Sequence, residues 1–232
     1  MQSAAIRLVG RRPSVFFSST DQFETEIVDL VNEAARDICA TQDWQALTKV
    51  ATFTGDSTQE DFDAPSDYQR QLLDADMQDL NNWAWGYCHM TDLNQFLYRK
   101  ARGFEPYPGA WILYGGQFHF SPAPPTGQTA TFPYISKNFA IANDGAAKAE
   151  FTRDDDSFII DGGERLLTLW LIWRWRENKK LDATGDQENF VKAISELGSK
   201  DAGSRVIRSN WSGLNRYNWV RAWPWELGNP GG

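Results

Sequence analysis

Cysteine is nearly absent. Cys39 and Cys88 are the only two in 232 residues. A chain of this length buries roughly 70–75% of the surface it exposes when unfolded, so it needs no disulfide staples. So few cysteines suit a reducing compartment, and both are expected to act as small buried hydrophobes. Long apolar runs are missing too: no stretch approaches the ~18 consecutive apolar residues of a membrane span. The N-terminal MQSAAIRLVGRRPSVFF lacks the basic-then-apolar order of a secretory signal. The expectation is a soluble protein made in the cytoplasm, kept there or exported inside a particle, with no membrane partner.

The usual carriers of chemistry are scarce as well. His89 and His119 are the only histidines, and no His-x-x-x-His, Cys-x-x-Cys, phosphate-binding glycine loop or Gly-x-Ser-x-Gly elbow occurs. No catalytic residue, metal site or cofactor is therefore expected. His119 alternates with Phe118 and Phe120, which predicts that it points to the polar face of a hairpin. Asp154-Asp155-Asp156 comes nearest to a hard-cation site, but the alternating ligand spacing and glycine of a calcium loop are missing. Adjacent carboxylates cannot all face one ion. The run reads as a solvated acidic turn, or as a partner for arginines on a neighbouring subunit. Gly162-Gly163 before a helix could hold an anion, yet Asp161 and Glu164 would repel it. Basic residues are outnumbered, 23 against 31 acidic, for a net charge of −8. That is not the footprint of a duplex-binding module.

Tryptophan, by contrast, is abundant. Nine of the eleven cluster at 83 and 85, at 170, 173 and 175, and at 211, 219, 223 and 225. Tryptophan and arginine are over-represented in interface hot spots, which leans toward assembly. Leu166, Leu169, Trp170 and Trp173 fall on one helical face, and Leu167, Leu171 and Ile172 make the rest of that cylinder apolar. Trp170 and Trp173 read as core. Trp175 lies on another face between Arg174 and Arg176, where a subunit contact is expected. Thr184-Gly-Asp-Gln187 predicts a capping box for a following helix with Phe190, Ile194 and Leu197 as its stripe, packed antiparallel to the first.

Earlier in the chain, Ser19-Thr-Asp-Gln22 predicts another capping box, with Phe23, Ile27, Leu30, Val31, Ala34 and Ile38 at helical spacing up to about residue 41. Trp44 and Leu47 should pack back on that helix. Residues 1–18 read as an N-terminal arm or short strand. Residues 47–63 read as a β-hairpin, and 92–98 as a short helix. Trp111-Ile-Leu-Tyr114 and Gln117-Phe-His-Phe120 form a hairpin around Gly115-Gly116, with 129–135 as a returning strand. The fold class is thus α+β: N- and C-terminal helices forming a small helical bundle, an inserted β-hairpin-rich region and an extended C-terminal arm. In segments this gives a bundle from 19–46 and 151–203, an insertion at 47–150 and an arm at 204–232. That arm is rich in tryptophan and carries Arg205, Arg208, Arg216 and Arg221 against Glu226 alone. So much exposed aromatic surface calls for a cover.

The order TRDDDSFII, then IWRWRENKKLD, then QENF, then SKDAGSR resembles the head-to-tail adaptor proteins of tailed bacteriophages. FDAPSDYQR (62–70) and GQFHFSPAPPTGQTATFPYISKN (116–138) are similar to hairpin segments of that group. The likeness runs over roughly residues 20–208. It departs at Lys200-Asp-Ala-Gly203, where an Arg-Asp-Gly-Gly run is the family habit. The resemblance implies a structural virion protein at the head–tail interface, forming a ring of twelve copies beneath the portal protein. It further implies a distal tail protein (nozzle or tail tube), and tail fibres, as partners. Genomic DNA would pass through the channel without specific binding. Candidate portal-binding residues are Arg208, Trp211, Tyr217, Trp219, Arg221, Trp223 and Trp225. Candidate inter-subunit contacts are Asp154, Asp155, Asp156, Arg174, Trp175 and Arg176. The alternative is a carbohydrate-binding or glycan-degrading tail component, suggested by aromatics and carboxylates, although glycosidases need paired carboxylates in a cleft. A third reading has the basic tryptophan-rich tail stacking single-stranded nucleic acid.

Overall fold

The structure, a computed structural model, describes residues 1–72, 77–79, 87–103 and 109–201. Five helices run α1 (Gln2–Val9), α2 (Gln22–Ala40), α3 (Leu93–Ala101), α4 (Gly163–Asn178) and α5 (Thr184–Asp201). The strands are β1 (Thr48–Thr54), β2 (Asp61–Asp63), β3 (Tyr68–Gln71), β4 (Gln78–Asp79), β5 (Cys88–His89), β6 (Ala110–Tyr114), β7 (Gln117–Ser121), β8 (Thr129–Ser136), β9 (Ala140–Ile141), β10 (Ala147–Lys148) and β11 (Ser157–Phe158). This is the α+β architecture expected, with helices at both ends of the described chain. It falls into two compact units. One comprises residues 1–49, 67–72 and 134–201, and the other residues 50–66 and the described part of 73–133. The chain passes from one to the other within β1 and within β8.

The first unit is helical. The predicted stripe of α2 (Phe23, Ile27, Leu30, Val31, Ala34 and Ile38) is buried throughout. Leu166, Leu167, Trp170 and Leu171 of α4 bury against it, and α4 also touches α1 and α5. Trp44 folds back as expected and donates its indole N–H to the Ile38 carbonyl at 2.8 Å. A β10–β9–β11 ribbon carries Phe139, Phe151 and Phe158 around its edge into the same core. β3 pairs antiparallel with the end of β8.

The second unit is built on the sheet β2–β7–β6–β5, antiparallel except for the β5–β6 pair. The Gly115-Gly116 hairpin forms as predicted; φ of 61° and 82° at its two turn residues is why glycine stands there. Phe53, Phe62, Phe118, Phe120 and Phe132 meet with ring centroids 4.7–6.0 Å apart. Stacked or edge-on rings at such distances add to plain area burial. α3 is capped by Asp92, whose Oδ1 accepts from the amides of Asn94 and Gln95.

Several expectations need correction. Residues 2–9 are a helix, neither arm nor strand, because Ala4 and Ala5 find a buried face while Gly10 closes the last turn. Residues 47–63 do not form a hairpin. β1 pairs with β8, and β2 pairs with β7, which delivers Phe62 to the phenylalanine cluster. A larger non-local apolar surface wins over the local turn. The cap of α2 is Asp21, accepting from the Phe23 amide at 2.9 Å, with Ser19 one step back on the Asp21 amide. Thr184 is the first residue of α5, its amide donating to Asp182 Oδ1 at 3.1 Å. Cys88 is exposed; only Cys39 is buried.

Candidate functional site

The candidate contacts named from sequence fall in two places of the helical unit. The first is the acidic turn before β11. Asp156 is turned inward, its side chain fully buried. Its Oδ2 accepts from the amides of Thr152 (2.7 Å) and Arg153 (2.8 Å) and pairs with Lys148 Nζ at 2.6 Å. Burial pushes this carboxyl up, but Lys148 and the two amides outweigh it and hold it below the usual range. Its Oδ1 is buried without a hydrogen-bond partner. Asp154 instead reaches the Phe16 amide, at 3.0 Å. Asp155 is exposed. The backbone thus sends the three carboxylates to different surroundings. Among the described residues, no group of three or more histidine, cysteine or acidic side chains is placed to hold a metal ion.

The second place is the cationic end of α4. Arg174 pairs with Glu177 at 2.6 Å and Glu33 at 3.4 Å, and its guanidinium lies 5.5 Å from the ring centroids of both Trp170 and Trp173. The Glu177 hydrogen bond leads the contacts that hold its protonation even more firmly. Trp175 donates its indole N–H to Glu26 at 3.1 Å and meets Phe23 edge-on at 5.8 Å. Lys179 sits over the same indole and pairs with Glu26 at 2.8 Å, the first cause of that carboxyl's lowered pKa. Arg176 reaches Asp186 at 2.6 Å and so ties α4 to α5. Trp170 is 1% exposed, as expected of core, and Trp173 stacks on Phe190 at 5.7 Å. Each surface pair is worth only about 0.2–1 kcal/mol. Together they hold α2, α4 and α5 in one arrangement, a polar frame around an apolar core.

His119 does not lie on a wet polar face. It is 6% exposed, stacked on Tyr114 at 3.7 Å, with Nδ1 2.6 Å from Asp61 Oδ1. Asp61 stands directly opposite in the β2–β7 register and satisfies the ring. The seven arm residues, Arg208 to Trp225, lie outside the described residues. Sequence reasoning missed two features. One is Asp67, which gathers Lys49 (2.5 Å), Tyr134 (2.8 Å) and Ser136 (2.8 Å). Nothing in a lone Pro-Ser-Asp signals partners so distant in the chain. The other is the outer face of α1, where Ile6 and Val9 stay exposed. Arg7 in the last turn and Gly10 just beyond could have announced that helix.

No curated protein matches the chain. The sequence profile of the family described as SU10 adaptor protein matches residues 1–216, from α1 through all described elements into the arm. That span covers far more than half of the 232 residues, and it agrees with the phage adaptor habits of residues 20–208. A two-unit α+β fold with a charge-framed helical core, matched from its first residue to residue 216, belongs to the SU10 adaptor protein family.

Proposed function

We propose that this protein is a structural head-to-tail adaptor of the virion, forming a ring of twelve copies beneath the portal. In this reading it connects capsid to tail, bears the distal tail protein on its other side, and lines the channel that DNA crosses. The observation that carries the proposal is the family match over residues 1–216. The geometry supports it: the charged side chains of α2, α4 and α5 link elements to one another, as a rigid assembly part requires. The arm supplies the portal contact through Arg208, Trp211, Tyr217, Trp219, Arg221, Trp223 and Trp225. Aromatics seated in a portal groove would supply affinity, and arginines would meet acidic partners. Asp155, and the exposed Asp154 beside it, carry charge toward a neighbouring copy. Asp156, Arg174, Trp175 and Arg176 back the subunit boundary from within. A net charge of −8 suits a channel wall that repels phosphates and lets DNA slide. A neutral or basic lumen in a map of the ring would sink that last point.

The experiment mixes the full chain, or one ending after Lys200, with the portal ring encoded beside it, viewed by negative-stain microscopy. A stacked ring formed only by the full chain supports both the adaptor and its arm as anchor. A stack formed by both chains moves the anchor to the helical unit. No stack with either chain refutes the adaptor reading.

A further inference from the structure

A cleft of about 290 Å³ opens in the helical unit between the start of α1, the turn before β11 and the first turns of α4. Three carboxylates line it, Asp154, Asp156 and Glu164, and no lysine or arginine does. The Asp156 side chain is fully buried. The groups that hold its Oδ2, namely the Thr152 and Arg153 amides and the Lys148 ammonium, do not line the cleft. Its Oδ1 has no hydrogen-bond partner, and it is the oxygen left to face the cavity.

This negative charge is poorly answered. Of the three carboxylates, Asp156 alone stands in an ion pair among the described residues, and Lys148 takes its far oxygen. The α-amino group of Met1 also borders the cleft. Burial pushes its pKa down by more than the nearby charges of Glu164 and Asp154 push it up, so this one cation is weakened where it stands. A buried carboxylate oxygen without a donor costs free energy that a bound donor recovers. Nor do the three converge: among the described residues no three such side chains are placed to hold one metal ion. A compact cation therefore cannot satisfy them together, whereas a chain with ammonium groups spaced along it can. Phe16, Val31 and Leu167 supply apolar wall between the carboxylates. The volume is close to the lower end, about 300 Å³, of small-molecule sites, which suits a slender chain.

We propose that this cleft binds an aliphatic polyamine, one ammonium against Asp156 Oδ1 and the others at the exposed Glu164 and Asp154, its methylenes along Phe16, Val31 and Leu167. Ammonium groups donate charge-assisted hydrogen bonds to carboxylates, the stronger class of hydrogen bond. The methylenes add burial of apolar surface. No covalent bond forms or breaks. The site goes beyond the adaptor reading and does not depend on it.

The test titrates the full chain with spermidine by isothermal calorimetry at fixed ionic strength, with propylamine and Mg²⁺ as comparison ligands. Spermidine should bind as one molecule per chain, and the other two about tenfold more weakly, for want of the spaced charges. Glu164→Gln removes charge at the exposed rim, and Asp154→Asn does so while keeping an acceptor for the Phe16 amide. Each should weaken spermidine binding about fivefold, the effect of one lost ion pair. Glu188→Gln removes the same charge on α5, outside the cleft, and should leave binding unchanged. Equal losses from Glu164→Gln and Glu188→Gln would mean that spermidine follows net charge alone, and would overturn the site. Failure of the parent chain to bind spermidine, or its displacement by Mg²⁺ at equal concentration, would overturn it as well, and either result would leave the adaptor reading standing.

Discussion

Replacing Asp67 by alanine is the most informative single change in the helical unit. Its carboxylate accepts from Lys49 Nζ at 2.5 Å, Tyr134 OH at 2.8 Å and Ser136 Oγ at 2.8 Å. Burial pushes the group up, yet the bonds from Lys49, Tyr134 and Ser136 prevail and bring it from 3.8 to about 2. At about 1.36 kcal/mol for each tenfold change in proton affinity, that drop corresponds to about 2 kcal/mol of folding stability. The folded pKa is the lower one, so this contribution is complete above about pH 4 and fades as pH falls through 2. Near pH 3 it should be roughly half of its neutral value. For a chain of this size, about 2 kcal/mol lowers Tm by roughly 4–8 °C. Thermal unfolding followed by circular dichroism at pH 7, 3 and 2 should show a gap between wild type and Asp67→Ala that closes in that order. Lys49→Met should reproduce much of the loss, and the double variant should lose less than the sum of the two. A gap of the same size at pH 7 and pH 2, or none at pH 7, would refute the argument that the charged carboxylate organises this junction.

Two further outcomes follow from the packing. A Cβ on Gly55 would come within 2.2 Å of the Pro124 carbonyl oxygen, a backbone atom with little room to move. Gly55→Ala should therefore cost about 1–3 kcal/mol, as overpacking does, read as a lower urea midpoint; an unchanged midpoint would show that the loop at Pro124 yields freely. Burial pushes the Cys39 thiol up to about 12, whereas Cys88 is exposed. A thiol reagent at neutral pH should modify one cysteine in the folded protein and the second only after denaturation. Rapid labelling of both in the folded state would place Cys39 elsewhere than the core.

Helices α2 and α4 were legible because their cause is local. The stripe of α2 and the all-round apolar character of α4 repeat with the helical period, and only a buried helix meets that pattern. The Gly-Gly hairpin was legible for the same reason, since two successive positive φ angles leave few other residue choices. Strand partnership was not. Val50 to Phe53 and Asp61 to Asp63 look like the two arms of a hairpin, but their hydrogen bonds go to β8 and β7, far along the chain. The acidic run 154–156 was legible as a feature, whereas its division into an inward Asp156, a Phe16-bound Asp154 and an exposed Asp155 depended on backbone direction.

By itself, then, the sequence determined the α+β class, the core faces of α2 and α4, the hairpin at 110–121 and the adaptor family, because periodicity, turn chemistry and segment order are written in adjacent residues. Tertiary structure alone decided that residues 2–9 are a helix, that β1 and β2 part company, and that Asp67 gathers three distant donors. It also decided that Ile6 of α1 and Val191 of α5 stay exposed. Each of these turns on which distant surface wins the competition to be buried, and that competition is settled only when the whole chain has closed.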